Sequence, residues 1–399
     1  LNVGVGRALT IGANEGAIPA VFMLAVMYGA GTLERLRATM GLLLVLGLFV
    51  AAVAVHQGAS SPVCMASPTD EDGVRAPDPS TADGRVCGLA SDCTEDGRWD
   101  DAWACERVGL FGTFSVERRV RWRGQLNDPN ELSVFIGAVL PLLIALGLPF
   151  RNAASSPRGP PAQKAMGFLS LVLVGLGLCA VIMTQSRGGQ LVIATVFART
   201  FMSRFGKKGI ALAVVVALPV LLLGGRSDAD ADASATERTE LLYQGVTLFF
   251  QNPIRGVGTD QFSDRVDHPS HLTAHNSYLL AAAELGLPGF FVWTGIAWTS
   301  LKIALTATRA DSLSEELRVT GRALVASFSG IAVGIFFLSF TYKQLLFVWF
   351  GMAGAFYRVV READPGLRVK IGWKDCGGIV LANMAFIALL WAYTRARGG

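Results

Sequence analysis

The chain has 399 residues, of which 52% are hydrophobic and only 17% are charged. Soluble domains carry about 25% charged residues, whereas apolar runs of roughly 16 to 20 residues recur here, close to the length that crosses a bilayer. This composition excludes a soluble domain. The net charge of +4 lies in short basic loops between the runs, which does not indicate nucleic-acid binding.

The apolar runs predict an all-α fold, a polytopic transmembrane helical bundle of about ten spans. The spans are expected at roughly 16–33, 38–55, 132–149, 166–184, 188–203, 209–224, 276–300, 323–341, 344–357 and 378–394. The chain begins with Leu1 rather than Met, which leaves open that it is truncated and that spans precede this residue.

Basic residues follow alternate spans, so the positive-inside rule gives one orientation. They are Arg35 and Arg37; Arg151, Arg158 and Lys164; Arg199, Arg204, Lys207 and Lys208; Lys302 and Arg309; and Arg358 and Arg361. This orientation predicts N-terminal helices (1–55), a cysteine-rich periplasmic loop (56–131), further helices (132–224), a second periplasmic loop (225–275) and C-terminal helices (276–399). The last span runs towards Arg395 and Arg397, against the rule, so it is either re-entrant or misplaced.

The first loop contains four of the six cysteines: Cys64, Cys87, Cys93 and Cys105. An even number in one outside loop predicts two disulfides, with three pairings open. Zinc is the alternative, but the spacing lacks a C-x2-C pair and no histidine is interleaved.

The second loop opens with "GGRSDADADASAT", an acidic stretch of small residues that predicts a mobile linker. An amphipathic helix is expected to follow, with Thr236 as N-cap and an apolar stripe of Leu241, Val246, Phe249 and Phe250. The glycines of "NPIRGVGTDQF" end it. The alternative is a helix that lies on the membrane surface for packing only.

Three of the four histidines, His268, His271 and His275, lie close together in this loop. The carboxylates Asp260, Asp264 and Asp267 are near in sequence, but H-P-S-H is not an established zinc spacing, so no metal is predicted. His275 lies where the loop enters a span, where an imidazole could act as general base near neutral pH. A lone histidine at a helix start is, however, more often structural.

Arginines accompany this histidine on the same predicted face. Arg187 lies in a turn, "TQSRGGQ", Arg238 opens the amphipathic helix, and Arg123 and Asn130 precede the third span. Guanidinium groups bind phosphate bidentately, so together these residues indicate an anionic, lipid-linked substrate. Each arginine alone could equally anchor a lipid headgroup.

The same segments resemble, in order, the O-antigen ligase and polymerase superfamily of bacterial envelope proteins. Members show an SRG turn, an arginine-led helix, a P-x-x-G-x-G loop and an H-N-x-x-L-x-x-x-x-E-x-G-x-x-G signature. Here these are "TQSRGGQ", "ERTELLYQGVTLFFQNPIRGVGTDQF" and "AHNSYLLAAAELGLPGFF". The signature reads His275, Asn276, Leu279, Glu284, Gly286 and Gly289. The cysteine-rich loop and the last span are not typical of the family.

The resemblance implies a GT-C-like bundle in the bacterial inner membrane, with a periplasmic loop over the site. Arg187 and Arg238 would hold the diphosphate of an undecaprenyl-diphosphate-linked glycan donor, and His275 would activate the acceptor hydroxyl. Arg123, Asn130, Asn276 and Glu284 are expected to contact substrate. No metal or cofactor is implied.

Three acceptors remain open. They are a lipid A core, a growing glycan and, as the less favoured form, a protein hydroxyl. The alternatives from other classes are a polysaccharide or lipid transporter and a non-catalytic envelope scaffold. Transporters place ionisable residues within their spans, whereas here the spans hold few besides Glu284. That pattern counts against transport.

Overall fold

The computed structural model of the protein describes residues 5–69, 76–94, 102–147, 161–223, 228–266 and 272–397. These ranges are mostly helical, as predicted, with one two-stranded sheet. The helices are α1 (Val5–Ile11), continued by a π-helical turn (Gly12–Ala17), α2 (Ile18–Gly29), α3 (Leu33–Ala59), α4 (Pro129–Val139), α5 (Leu142–Leu146), α6 (Pro161–Met183), α7 (Arg187–Phe205), α8 (Lys208–Leu223), α9 (Asp228–Gln251), α10 (Phe262–Arg265), α11 (Ser277–Arg309), α12 (Glu315–Gly334), α13 (Gln344–Ala363) and α14 (Trp373–Ala396). The strands are β1 (Pro62–Ala66) and β2 (Trp103–Arg107), and short 3-10 turns occupy Pro79–Thr81, Ala90–Cys93, Leu110–Gly112, Gly124–Leu126 and Ile335–Phe337.

Within the described residues every predicted span falls on helix, and the span predicted at 132–149 is divided between α4 and α5. Six helical segments of the described chain are long and apolar enough to cross a membrane: Leu9–Gly29, Leu33–Ala59, Pro129–Leu146, Ser277–Arg309, Glu315–Phe337 and Trp373–Ala396. The remaining predicted spans coincide with α6, α7, α8 and α13, and the apolar part of α6, Gly167–Met183, is shorter. The protein is thus a multi-pass helical membrane protein, and the total of about ten crossings stays a prediction.

The centre of the bundle is formed by α4, α7 and α12, which pack directly on one another, and α11 packs on α12. Glycines bring α4 and α12 close to α7, because Gly137 and Gly330 both face Val192. The Ser327 hydroxyl of α12 donates a hydrogen bond of 2.7 Å to the Ala138 carbonyl of α4. Small residues and such interhelical hydrogen bonds are what hold helices together in a membrane, where apolar surface alone gives no preference for protein over lipid.

The last helix, α14, is a continuous helix of 24 residues. Its first turn is tied to the C-terminal half of α11, where the Lys302 ammonium lies 2.7 Å from an Asp375 carboxylate oxygen and the Trp298 indole donates to the same carboxylate at 3.0 Å. Further along, α14 contacts α9. Helix α14 therefore lies along α11 as a full helix, which is not the re-entrant segment considered from the sequence.

The cysteine-rich loop is built on the β1–β2 hairpin, in which Cys64 lies opposite Cys105. Two disulfides, Cys64–Cys93 and Cys87–Cys105, tie this hairpin to the turn around Ala90–Cys93. Both predicted disulfides are present, and the connectivity that the sequence left open is first to third and second to fourth. None of the four is a free thiolate, so this loop offers no cysteine ligand for zinc.

The acidic segment of the second loop differs from the prediction of a mobile linker. Helix α9 already begins at Asp228 and continues to Gln251, so Thr236 lies inside the helix and is not its N-cap. Alanine has the highest helix propensity, and aspartates near a helix N-terminus interact favourably with its dipole. These two effects account for helix in a segment whose polarity alone indicates disorder.

The predicted apolar stripe of α9 is only partly correct. Leu241, Val246 and Phe249 are buried, whereas Phe250 is 54% exposed. Gly245 brings α9 against Leu279 in the first turn of α11. Helix α9 therefore packs across the start of α11 and contacts α14, so surface packing against lipid is not its only role.

Helix α11 is broken at Gly286, whose backbone has φ +64° and ψ −176°. The loop that follows α9 inserts into this break. The Val257 N–H donates to the Ala283 carbonyl at 2.9 Å, and the Gly258 N–H donates to the Glu284 carbonyl at 3.1 Å. Carbonyls that the broken helix leaves without intrahelical partners are thus satisfied by the loop.

Close approach of the two backbones requires glycine on both sides of this joint. A Cβ on Gly286 would meet the Ile254 carbonyl, and a Cβ on Gly256, which has φ +67°, would meet the Glu284 carbonyl. The glycines of the P-x-x-G-x-G loop and of the E-x-G part of the signature are therefore two halves of one structural joint, which fixes the loop over the start of α11.

Candidate active site

Three chain segments that carry predicted site residues meet at one end of the bundle. They are the starts of α4, α7 and α11. Gly189 of α7 packs directly on Ser133 of α4, and a Cβ on the neighbouring Gly188 would lie 3.3 Å from Phe337. The next residue, Leu338, accepts a 2.6 Å hydrogen bond from the Ser277 hydroxyl at the start of α11. Arg187, Asn130 and His275 therefore belong to one cluster of helix starts.

The backbone around His275 is fixed by the start of α11. His275 has φ +46°, a left-handed conformation that is uncommon for non-glycine residues but favoured several-fold by histidine. Asn276 caps the helix, its Oδ1 accepting from the Leu279 N–H at 3.0 Å. The Ser277 hydroxyl also accepts from the Phe340 N–H at 2.7 Å. These contacts hold His275 at a defined place just outside the helix.

Asn276 is only 1% exposed and Glu284 only 2% exposed, and the side chain of each accepts hydrogen bonds from backbone N–H groups. Glu284 Oε1 accepts hydrogen bonds from the N–H groups of Gln261 and Phe262, at 3.1 and 3.0 Å. Two of the residues expected to contact substrate are thus seen binding the chain itself. Their buried positions give them a role in shaping the site.

The charges around His275 come from two other segments, helix α9 and the residues before α4. Burial lowers the pKa of His275, and the Arg238 guanidinium of α9 lowers it further, whereas Asp128 before α4 and Glu237 raise it. Since the ordinary pKa of histidine is about 6.5, the imidazole is neutral at pH 7. The structure therefore brings Arg238 and His275 together and leaves His275 able to accept a proton.

Asn130 accepts a hydrogen bond from Arg119, which was not predicted as a site residue. Arg119 is only 7% exposed; its Nε donates to the Thr184 carbonyl at 2.9 Å and its Nη2 donates to Asn130 Oδ1 at 3.0 Å. Asn130 Nδ2 in turn donates to Asp128 Oδ1 at 2.8 Å. This chain of hydrogen bonds links the turn before α7 to the carboxylate that faces His275.

Arg123 is placed differently from the other predicted arginines. Its guanidinium is on the protein surface and donates to the Gly112 carbonyl in the cysteine-rich loop. The same segment also contains the half-buried Arg121. Its guanidinium lies 4.1 Å from the centre of the Phe114 ring and interacts electrostatically with Asp128. The sequence R-V-R-W-R, residues 119–123, could have indicated that the three arginines act together, because alternate residues of an extended chain share one side.

Arg187 is exposed and is the first residue of α7. The Ser186 hydroxyl caps this helix by accepting from the Gly189 N–H at 3.0 Å. A helix N-terminus carries partial positive charge, which adds to that of a guanidinium there. The combination suits an anion arriving from outside the bundle. His268, His271 and Asp267 lie outside the described residues.

An apolar groove of about 830 Å³ begins beside these residues. It is lined by Tyr278 and Phe290 of α11, Phe337, Leu191 of α7 and Phe386 of α14, and it extends to Trp298 and Asp375. Phe337 is the residue that faces Gly188, next to Arg187, and Tyr278 lies three positions after His275. The groove therefore leads from the polar cluster along the length of α11.

The protein is therefore a multi-pass helical membrane protein. A histidine, arginines and carboxylates are gathered at one end of its helical bundle. Residues 171–294 match the family model described as O-antigen ligase, a stretch that includes Arg187, Arg238, His275 and Glu284. The resemblance to the O-antigen ligase and polymerase superfamily is thereby confirmed over these residues. No curated protein matches the chain.

Proposed function

We propose that the protein is a glycosyltransferase of the bacterial inner membrane that moves a glycan from undecaprenyl diphosphate to an acceptor hydroxyl on the periplasmic face. The observation that supports the proposal is that the Arg238 guanidinium acts, with burial, to lower the pKa of His275, three positions before the groove residue Tyr278. The groove suits the polyprenyl chain of the donor, and the arginines suit its diphosphate.

The basic loops support the periplasmic orientation. Helix α7 runs from Arg187 at the site to Arg204, and the α7–α8 turn continues with Lys207 and Lys208. Lys302 and Arg309 likewise lie towards the end of α11 that is remote from His275. Since basic loops face the cytoplasm, the site end of the bundle would face the periplasm.

In the proposed reaction, His275 takes the proton of the acceptor hydroxyl while that oxygen bonds to the anomeric carbon of the donor sugar. The bond between this carbon and the diphosphate oxygen breaks, and its electron pair leaves with the diphosphate. Arg238 and Arg187 stabilise the charge that develops there, as preorganised guanidinium groups do. Direct attack inverts the anomeric configuration. Asp128 and Glu237 stabilise the imidazolium that results.

The test is transfer in detergent by the purified protein, with an undecaprenyl-diphosphate glycan as donor and lipid A core or the lipid-linked glycan itself as acceptor. Removal of a general base typically costs about 10²–10⁴ in rate, so His275→Ala should lose at least 100-fold. His56→Ala is the matched control, because His56 is exposed at the end of α3.

Transfer is expected to continue in EDTA, because the proposed chemistry uses no metal. Full activity of His275→Ala would refute the assignment of the base, and a protein without transfer activity would leave transport or scaffolding as the function. Loss in EDTA that zinc restores would refute metal independence.

A further inference from the structure

The cysteine-rich loop carries an apolar turn, Leu110–Gly112, for which the proposed transfer reaction has no role. The turn lies in the part of the loop between β2 and α4. Phe111 is 62% exposed, and its neighbour Leu110 is exposed as well. Large apolar side chains that are exposed side by side mark contacts with a protein or a membrane, so this turn is a candidate contact surface.

The backbone of the turn holds Phe111 at its tip. The Thr113 N–H donates to the Leu110 carbonyl at 3.1 Å, and the two central residues, Phe111 and Gly112, have φ +58° and +64°. Turns with two positive φ values are dominated by glycine, asparagine and aspartate, because a bulky side chain is strained there. A phenylalanine at this position costs conformational free energy, which contacts of its ring must offset.

The turn is held alongside the C-terminal half of α3. The centre of the Phe111 ring lies 5.6 Å from that of Phe49, and the Phe49 ring lies 5.8 Å from the Trp122 ring. The same part of the loop is fixed to the end of α3, where the Arg121 N–H donates to Gln57 Oε1 at 2.9 Å. Because Phe49 precedes Gln57 by eight positions, or about 12 Å of helix, the turn reaches back from the helix end along the membrane-spanning part.

Phe49 lies at the depth of the hydrocarbon core. Helix α3 has 27 residues, so it is about 40 Å long, roughly 10 Å more than the core of a bilayer. Phe49 precedes the last residue, Ala59, by ten positions, or about 15 Å. Even if all of the excess length lay at this end, Phe49 would be about 5 Å inside the core. The charges of Glu34, Arg35 and Arg37 place the excess at the other end instead, so Phe49 lies deeper still.

Phe49 also belongs to the exposed apolar face of α3. This face consists of Leu42, Val45, Leu46 and Phe49, which follow the spacing i, i+3, i+4 and i+7 of one helix face. In a membrane-spanning helix, an exposed apolar face of this kind contacts lipid. Since the Phe111 ring packs on Phe49 and is itself exposed, the turn continues the lipid-facing surface of α3 sideways.

The carbonyls of the turn meet the requirement that lipid places on a backbone. Polar backbone groups inside a bilayer need partners within the protein. The Leu110 carbonyl accepts from the N–H and the hydroxyl of Thr113, at 3.1 and 2.9 Å, and the Arg123 guanidinium donates to the Gly112 carbonyl. Tryptophan is enriched where lipid meets water, and arginine extends its charged end into that interface. The neighbours Trp122 and Arg123 provide both.

We propose that Leu110 and Phe111 insert into the bilayer and anchor the cysteine-rich loop to the leaflet that surrounds the end of α3. The partner is the lipid itself. The apolar tip of the turn enters the acyl chains, and Arg123 lies at the level of the headgroup phosphates, which assigns this arginine to lipid and not to the substrate. The proposal does not depend on the proposed transfer reaction.

The test is photo-crosslinking of the whole chain in nanodiscs of phosphatidylethanolamine and phosphatidylglycerol. Phe111→benzoylphenylalanine keeps an aromatic ring at an exposed position, so the fold should be retained. Leu89→benzoylphenylalanine is the matched control, because Leu89 is 65% exposed in the same loop. After irradiation and digestion with trypsin, the peptide of residues 108–118, which contains no cysteine, should gain the mass of one phospholipid. The peptide that carries residue 89 should gain none.

A second measurement needs no substitution. The wild type is irradiated in nanodiscs whose phospholipid carries a diazirine on its acyl chain, and the same peptide of residues 108–118 should be labelled. Absence of a lipid adduct on this peptide in both measurements would overturn the proposal. Crosslinks from residue 111 to a second protein chain in place of lipid, or equal lipid labelling at residues 111 and 89, would overturn it as well.

Discussion

The joint between α11 and the loop after α9 can be tested at Gly286. Its φ of +64° and ψ of −176° lie in a region that is essentially restricted to glycine. In Gly286→Ala the new Cβ would also overlap the Ile254 carbonyl and lie 2.8 Å from the Gly256 nitrogen. Both neighbours are backbone atoms, so the loop itself would have to move.

The cost follows from these two effects. The strained backbone costs about 1–3 kcal/mol. Displacement of the loop breaks the hydrogen bonds from Val257 to Ala283 and from Gly258 to Glu284, each worth about 0.5–1.5 kcal/mol net. The expected loss is therefore about 2–6 kcal/mol in the free energy of unfolding.

A matched control lies in the same helix. A Cβ on Gly295 would have no atom within 4 Å, so Gly295→Ala should stabilise α11 by about 0.5–1 kcal/mol through helix propensity. Thermal unfolding of both variants in one detergent gives the comparison, and transfer activity is measured alongside. Gly286→Ala should unfold at a lower temperature than wild type and Gly295→Ala slightly higher. Equal midpoints with full activity in both would refute the joint as a requirement for the site.

Two further predictions concern the chemistry. Activity should fall as the pH falls through the His275 pKa, which burial and Arg238 hold below the ordinary value near 6.5; Arg238→Gln should move this acidic limb to higher pH in a kcat/KM profile, and an unmoved or downward-shifted limb would contradict the coupling. Arg187→Lys should reduce kcat/KM for the donor by at least 10-fold, because an ammonium lacks the planar fork of guanidinium; wild-type kinetics would exclude bidentate diphosphate binding by this residue.

The helices were predictable because an apolar run is a local feature of the sequence. The disulfides were predictable because their cysteines lie in a loop expected on the oxidising side of the membrane. An apolar run long enough to span a bilayer has few alternatives to helix, and each of the predicted spans falls on one. Four cysteines in one outside loop predict two bridges, but the pairing of Cys64 with Cys93 depends on how the β1–β2 sheet and the turn at Ala90–Cys93, between its strands, meet. No spacing rule contains that information.

The prediction of a mobile linker for the acidic segment was wrong because two local effects compete there. Polarity and small side chains indicate disorder, whereas alanine propensity and N-terminal aspartates favour helix. The structure has helix from Asp228. Contact of α9 with α11 and α14 adds stabilisation that composition does not report.

The candidate site was only partly predictable because its charges arrive from separate segments. His275 and Arg238 were predicted from the order of the motifs. Asp128, at the start of α4, and Arg119, in the cysteine-rich loop, reach this end of the bundle only through tertiary contacts. Arg123 was selected from the same arginine-rich segment, yet it binds the Gly112 carbonyl instead. Sequence alone offered no reason to prefer one of these arginines over another.

The signature residues also divide between architecture and chemistry. Gly286 and Glu284 hold the loop, and Asn276 caps α11, so their presence in a motif does not require contact with substrate. For His275 the structure gives an effect on the imidazole itself, because burial and Arg238 lower its pKa.

In the proposed mechanism, Arg238 would connect the two substrates through its effect on the pKa of His275. After burial, the positive charge of Arg238 is the next cause that lowers the pKa of His275. A donor diphosphate bound to Arg238 would bring negative charge to the same place and raise that pKa, since an opposite charge nearby favours the protonated form of histidine. His275 would then be a stronger base when the donor is in place than when it is absent. The guanidinium that is proposed to bind the leaving group would thus disfavour protonation of the base before the donor arrives.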